Sequence, residues 1–175
     1  MPARLNFLTV VPMFHCNGWC YPWTIPMLNG KTVCLRNIDI KKIFELIEEH
    51  KITHFGGAPI VLNMITGASE KDQKKLGHKV YVLTAGAPPP SIIFKKMQAL
   101  GFEVMHVYGL TETYGHILQC AWNDQWNDLD EDKQNEIKAR QGVRYPNTED
   151  VMVMDPETLE PCLLYTSPSP RDLST

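Results

Sequence analysis

Between Tyr108 and Thr113 the chain sets an aromatic ring, a glycine, a carboxylate and two threonine hydroxyls side by side, as Tyr108-Gly109-Leu110-Thr111-Glu112-Thr113. Such a group can hold a nucleotide. Tyr108 offers a face to a base, Gly109 lets a phosphate approach the main chain, Thr111 supplies a hydrogen bond, and Glu112 can hold a divalent cation. The preceding run, Glu103 to Val107, alternates and is β-prone, so the motif falls at a strand exit, where open α/β sheets place their ligands. The same residues would also serve as a plain strand end followed by a capped turn, and the motif alone leaves both readings open.

Two further segments have similar chemistry. Thr84-Ala85-Gly86-Ala87-Pro88-Pro89-Pro90 closes a second expected strand, Lys79 to Leu83, one helix earlier. Pro12-Met13-Phe14-His15-Cys16-Asn17-Gly18-Trp19 sets a histidine and an indole beside a glycine turn. In this order the three segments resemble the AMP-forming acyl-CoA synthetases of the adenylate-forming superfamily, including the medium-chain and methylmercaptopropionate-type ligases. The resemblance covers residues 8 to 161.

That resemblance implies a two-step reaction. A carboxylate attacks the α-phosphate of ATP and pyrophosphate leaves; coenzyme A thiolate then displaces AMP to give an acyl thioester. By the same resemblance Gly86, Ala87 and Pro88 line the adenine pocket, Tyr108 stacks on the base, and Gly109 belongs to the nucleotide-binding set. Thr111 meets the α-phosphate. Glu112 carries Mg²⁺, whose charge offsets the negative charge that builds during transfer. Glu112 also suits a helix start, where the dipole favours a carboxylate. His15 is similar to the family histidine beside the substrate carboxylate, while Gly18, Trp19 and Gly57 match pocket-lining positions. A partly buried, satisfied histidine and a core tryptophan are the alternatives at His15 and Trp19. An apolar wall is what a fatty or thioether acid requires, since each buried methylene contributes about 0.8 kcal/mol.

The chain also departs from the family pattern. The Ser/Thr/Gly-rich phosphate loop with its lysine is expected ahead of His15, and the ribose-binding aspartate, the hinge and the lysine-bearing C-terminal domain are expected beyond Pro161; none is in the sequence. The chain is therefore expected to be the middle of a larger N-terminal domain, residues 1–162, and to be inactive alone. His116 stands where the family pattern has proline. Residues 163–175, with Ser167-Pro168-Ser169-Pro170, have no relation to the family. They resemble translated sequencing-adapter DNA, the alternative being a disordered terminus.

Composition suits one globular domain or part of one: the chain has 175 residues and 43% hydrophobic content. Net charge is −3, from 17 basic and 20 acidic side chains, which gives no reason to expect nucleic acid or an anionic membrane as partner. No long apolar stretch predicts a membrane span, no secretory signal is evident, and the cytoplasm is the expected compartment. Oligomeric state is not legible. Cysteines at 16, 20, 34, 120 and 162 are odd in number and scattered, which predicts reduced thiols. His15, Cys16 and Cys20 lack a fourth nearby ligand for zinc.

The expected fold is α/β, a parallel sheet flanked by helices. Strands are predicted at Thr32–Leu35, Ile52–Phe55, Lys79–Leu83 and into Tyr108; helices at Ile40–His50, from Pro59 through Ile65, and at Ser91–Leu100. Asp39 is the expected N-cap of the first helix, and Ile40, Ile43, Phe44 and Ile47 form its apolar stripe. Alternating strands and helices imply parallel pairing. Trp122 to Arg140 reads as a polar stretch with a solvated helix, acidic toward its start and basic toward its end. Arg140-Gln141-Gly142-Val143 resembles a turn near the site. Val151 to Thr158 reads as core-like. The expected function is activation of a short- or medium-chain carboxylic acid with ATP, Mg²⁺ and coenzyme A. The alternatives are a non-catalytic nucleotide-binding domain and an aryl-acid or carrier-protein-loading enzyme.

Overall fold

The computed structural model describes residues 4–15 and 20–161. Gly18 and Trp19, two of the expected pocket residues, lie outside the described residues, as does the tail from 162 onward. The chain divides into two compact units, residues 1–143 and 144–175.

The first unit is built by alternation. Strand β1 (Asn6–Thr9) leads through helix α1 (Tyr21–Met27) to β2 (Lys31–Cys34); then follow α2 (Ile40–His50), β3 (His54–Gly56), α3 (Pro59–Gly67), β4 (Val80–Thr84), α4 (Ser91–Leu100) and β5 (Phe102–Leu110). β6 (Gly115–Gln119), a 3₁₀ turn at Asp124–Asp128 and α5 (Glu131–Lys138) complete it, and the two-residue β7 (Val143–Arg144) falls at its boundary. The sheet order is β2-β1-β3-β4-β5-β6-β7. β2, β1, β3, β4 and β5 run parallel, so all five strands end on the same edge.

Local chemistry explains the helices. Asp39 caps α2 as expected: its Oδ1 accepts from Lys42 N–H at 2.9 Å, and Ile43, Phe44, Leu46 and Ile47 are buried on one stripe. Lys51 closes the helix in the left-handed region. Gly101 does the same for α4 at φ 102, where a side chain would be strained. Their buried faces meet the sheet in one core. Phe102 packs against Phe44 at 5.9 Å and edge-on against Phe55 at 5.8 Å between ring centroids, with Leu8, Val80, Val82 and Met97 fully enclosed.

Three features differ from the sequence reading. β1 and α1 were not among the expected elements; β1 is only four residues long and α1 carries an internal proline, so neither presents a long periodic pattern. After Tyr108 the strand continues to Leu110 and turns back as antiparallel β6, making a hairpin where an isolated strand exit was expected. The expected solvated helix shortens to Glu131–Lys138, and it is not wholly solvated: Asn135, Ile137 and Lys138 are buried. Lys138 Nζ reaches Glu103 Oε1 at 3.0 Å and Gln98 Oε1 at 3.3 Å and lies 5.1 Å over the Trp122 ring. Tertiary partners therefore make burial of this lysine tolerable.

In the second unit Asp155 organises a turn, its Oδ1 accepting from the N–H groups of Glu157 and Thr158. These bonds hold its carboxyl below the usual range. Met154 and Pro161 form an antiparallel bridge. The run expected to be core-like is open: Met152, Val153 and Met154 are all exposed.

Candidate functional site

A cleft of about 480 Å³ lies along the edge where the parallel strands end. Each strand contributes its exit. After β1 come Val10, Val11, Pro12 and His15; after β2, Ile38; after β3, Gly57, Ala58, Ile60 and Val61. Ala85 and Gly86 follow β4, and the hairpin supplies Gly109, Leu110, Thr111, Glu112, Gly115 and His116. Six of the residues singled out from sequence, His15, Gly57, Gly86, Gly109, Thr111 and Glu112, thus share one wall system though they span 98 positions from 15 to 112. Ala87, Pro88 and Tyr108 lie outside the lining, Tyr108 being half-buried on β5.

Two glycines make this shape possible. Gly86 turns at φ +98, a conformation that side chains rarely adopt, and so brings the main chain round at the end of β4. At Gly109 a Cβ would run into the Gly115 carbonyl oxygen across the hairpin, where a register irregularity falls between Tyr108 and Gly109. Thr113 ties the turn. Its Oγ1 accepts from Leu110 N–H at 2.8 Å and lies 2.9 Å from the Gly115 carbonyl, while Tyr114 N–H donates to Thr111 O at 3.1 Å. Thr111 and Glu112 are therefore presented, exposed, from a hydrogen-bonded turn.

Polarity varies along the strand order. Ile38, Val10, Val11, Ile60 and Val61 make the β2-β1-β3 side mainly apolar, with His15 among them; Gly86, Gly109, Thr111, Glu112 and His116 make the β4-β5-β6 side more polar, with Ala85 and Leu110 among them. His15, exposed, follows β1, its N–H donating to Pro12 O at 3.1 Å. Burial holds the His116 imidazole below its usual range. No lysine or arginine is among these lining residues.

Behind the polar wall β5 is anchored by His106. Its Nδ1 lies 2.9 Å from Ala139 O and 3.0 Å from Arg140 O; since carbonyls only accept, Nδ1 carries the hydrogen. This bond joins the Arg140-Gln141-Gly142-Val143 segment to the strand that bears Tyr108 and Gly109. Burial lowers the His106 pKa.

Among the described residues no group of three or more His, Cys, Asp or Glu side chains could hold a metal ion. A protein-only metal cage is thus absent there, and Glu112 is the one carboxylate among the described residues that line the cleft. Sequence reasoning missed Ile38, Ile60, Leu110 and the cleft-facing place of His116. Only Ile60 carried a local signal, following Pro59 at a helix start; the others face the cleft because of how the strands pair.

A second cavity, about 500 Å³, runs along β4 and β5 rather than at their exits, and includes Tyr81, Glu103, Met105, Trp122 and Lys138. Its buried charge is matched, Lys138 by Glu103 at 3.0 Å. No described helix is long and apolar enough to cross a membrane.

Comparison with known proteins gives the family. The chain is 47% identical over 157 residues to the peroxisomal acetate/butyrate–CoA ligase AAE7 of Arabidopsis thaliana, a match covering 89% of this chain and 27% of that protein. It is 46% identical to the acetate–CoA ligase CCL3 of Humulus lupulus, over 89% of this chain and 28% of that one. The chain thus spans just over a quarter of the length of these relatives. Its fold is that of an ATP-bound RpMatB-BxBclM chimera, at a TM-score of 0.71 and 20% identity over 91% of this chain and 29% of the other. With the family described as AMP-binding enzyme matching residues 1–164, on a chain whose strand exits build one graded cleft, this protein belongs to the AMP-binding enzymes.

Proposed function

We propose that this chain forms the nucleotide- and acid-facing cleft of an AMP-forming acyl-CoA ligase acting on a short- or medium-chain carboxylic acid. The observation that supports it is the graded cleft: an apolar side fits the alkyl part of an acid, and a polar side with bare glycine backbone fits a nucleotide. The similarity to acetate– and butyrate–CoA ligases favours the same class of acid.

On this reading the polar wall receives ATP. Gly86 and Gly109 let it approach the main chain, with Ala87, Pro88 and Tyr108 at the adenine end. Thr111 donates to the α-phosphate, and Glu112 holds Mg²⁺ together with the phosphates. Mg²⁺ supplies charge neutralisation when bound. His15 sits at the acid carboxylate, Gly57 on the acyl side, and Gly18 and Trp19 belong to the same pocket. The acid oxygen attacks the α-phosphorus as pyrophosphate leaves; the thiolate of coenzyme A then attacks the acyl carbon and AMP leaves. Residues 1–162 are proposed as part of the AMP-binding domain and 163–175 as an unrelated tail. The cytoplasm is the default proposal; AAE7 is named peroxisomal, and imaging the tagged full-length protein distinguishes the two.

Supplying the complete protein with ATP, Mg²⁺, butyrate and coenzyme A, and following butyryl-AMP and butyryl-CoA by mass spectrometry, tests the reading. Both products are expected. Nucleotide binding without either product would replace the ligase with a non-catalytic binding domain. The 175-residue chain alone is expected to give no ATP–pyrophosphate exchange.

A further inference from the structure

Ile60 stands in the first turn of α3, where local chemistry favours another residue type. The dipole stabilises a carboxylate at a helix start, yet α3 has no acidic residue in its first turn and no side-chain cap. Ile60 holds a branched aliphatic side chain in water instead, 63% exposed, while its neighbours Val61 and Leu62 are buried in the core. One exposed isoleucine on a surface is ordinary. Here Ile38 and Leu110 line the same cleft and are also exposed, so three large aliphatic side chains open into one concavity. Apolar surface gathered in this way marks a place where a ligand is received.

Main-chain bonds set the place of Ile60. Val61 N–H donates to Ala58 O at 2.8 Å and starts the helix directly at the β3 exit; Gly57 N–H donates to Leu83 O at 2.9 Å and ties that exit to β4. β3 lies two strand spacings from β5, about 10 Å. At the β5 exit stand Thr111 and Glu112, and the lining between there and Ile60 includes Gly57, Ala58, Ala85 and Gly86, all small. A ligand with its polar head at the β5–β6 hairpin can therefore lie low across the β4 exit with its tail directed at Ile60. No phenylalanine, tyrosine or tryptophan is among the described lining residues, so the apolar contacts on offer are aliphatic and suit an alkyl tail.

We propose that Ile60 is a specificity-determining residue: its side chain meets the end of the acid's alkyl tail and stops a longer one. This role rests on the ligase reading above and names the residue that sizes its substrate.

The test gives the complete protein, unmutated and as Ile60→Ala and Ile60→Phe, a mixture of ATP, Mg²⁺, coenzyme A and equal concentrations of butyrate and hexanoate. The two acyl-CoA products are quantified by mass spectrometry. Because the acids compete for the same enzyme, the product ratio reports their relative kcat/KM, and a lower folded fraction does not move it. Each further methylene that finds apolar room is worth roughly fourfold, so Ile60→Ala is expected to raise the hexanoyl-to-butyryl ratio about tenfold. Ile60→Phe is expected to lower it. Should Ile60→Ala fail to fold, Ile60→Phe decides. A ratio that folded Ile60→Ala leaves unchanged or lowers, or, in its absence, that Ile60→Phe leaves unchanged or raises, overturns the proposal and leaves the ligase reading standing. Absence of both acyl-CoA products from the unmutated protein overturns the ligase reading and this proposal with it.

Discussion

Glu112 projects from the four-residue turn that joins Leu110 to Gly115, exposed and on the cleft wall. Replacing it with glutamine removes one negative charge and leaves shape and turn bonds nearly unchanged. In the complete protein Glu112→Gln is expected to lower Mg²⁺-dependent acyl-AMP formation about 100-fold or more, with thermal stability within a few degrees. Retained turnover would remove Glu112 from the metal role. Gly109 is a different kind of position, since there a methyl group alone would collide with the Gly115 carbonyl. Gly109→Ala is expected to cost about 1–3 kcal/mol in urea unfolding, by prising the hairpin apart. Thr84 is a third case: at the end of β4 its Oγ1 is buried with no hydrogen-bond partner. Thr84→Val should be neutral or stabilising by up to about 1 kcal/mol; a clear loss of stability would show that the hydroxyl is satisfied in solution.

At the scale of elements, α2 tests how far local signals set the fold. Its N-cap, apolar stripe and both ends were legible, since Asp39, Ile43, Phe44 and Ile47 have the spacing of a surface helix. Asp39→Ala is expected to cost about 1 kcal/mol, read as a lower urea midpoint at unchanged slope. α4 was equally legible, bounded by Pro90 and Gly101. The β5–β6 hairpin was not. Its turn holds no Asn-Gly or Asp-Gly pair, and Tyr114 adopts φ 63 with its side chain fully exposed. A tyrosine in that conformation gives no warning of a turn; the Thr113 bonds and the pairing of β6 with β5 hold it there.

The whole first unit contains three histidines, His54, His106 and His116, whose pKa burial lowers. The unfolded chain then binds more protons than the folded one as pH falls below about 6.5. Stability is therefore fully present above that pH and declines as acid is added, until the folded-state values are reached. The urea midpoint is expected to fall between pH 7 and pH 5, and His106→Gln, which keeps a donor for Ala139 and Arg140, to flatten the decline. A midpoint that rises with acid would contradict this.

The residues by themselves determined the alternation of strands and helices, because hydrophobic spacing, Asp39 and Gly101 act over a few positions. They also determined the chemistry at the exits, since His15, Gly86, Thr111 and Glu112 are legible as types wherever the chain carries them. Tertiary structure alone decided which exits share a wall. The strand order β2-β1-β3-β4-β5-β6 sets Ile38 and Ile60 on one side and His116 on the other. It also buried Lys138, which sequence placed in solvent, through Glu103, Gln98 and Trp122. Those outcomes depend on pairings between residues tens of positions apart, and no local pattern encodes a partner at that distance.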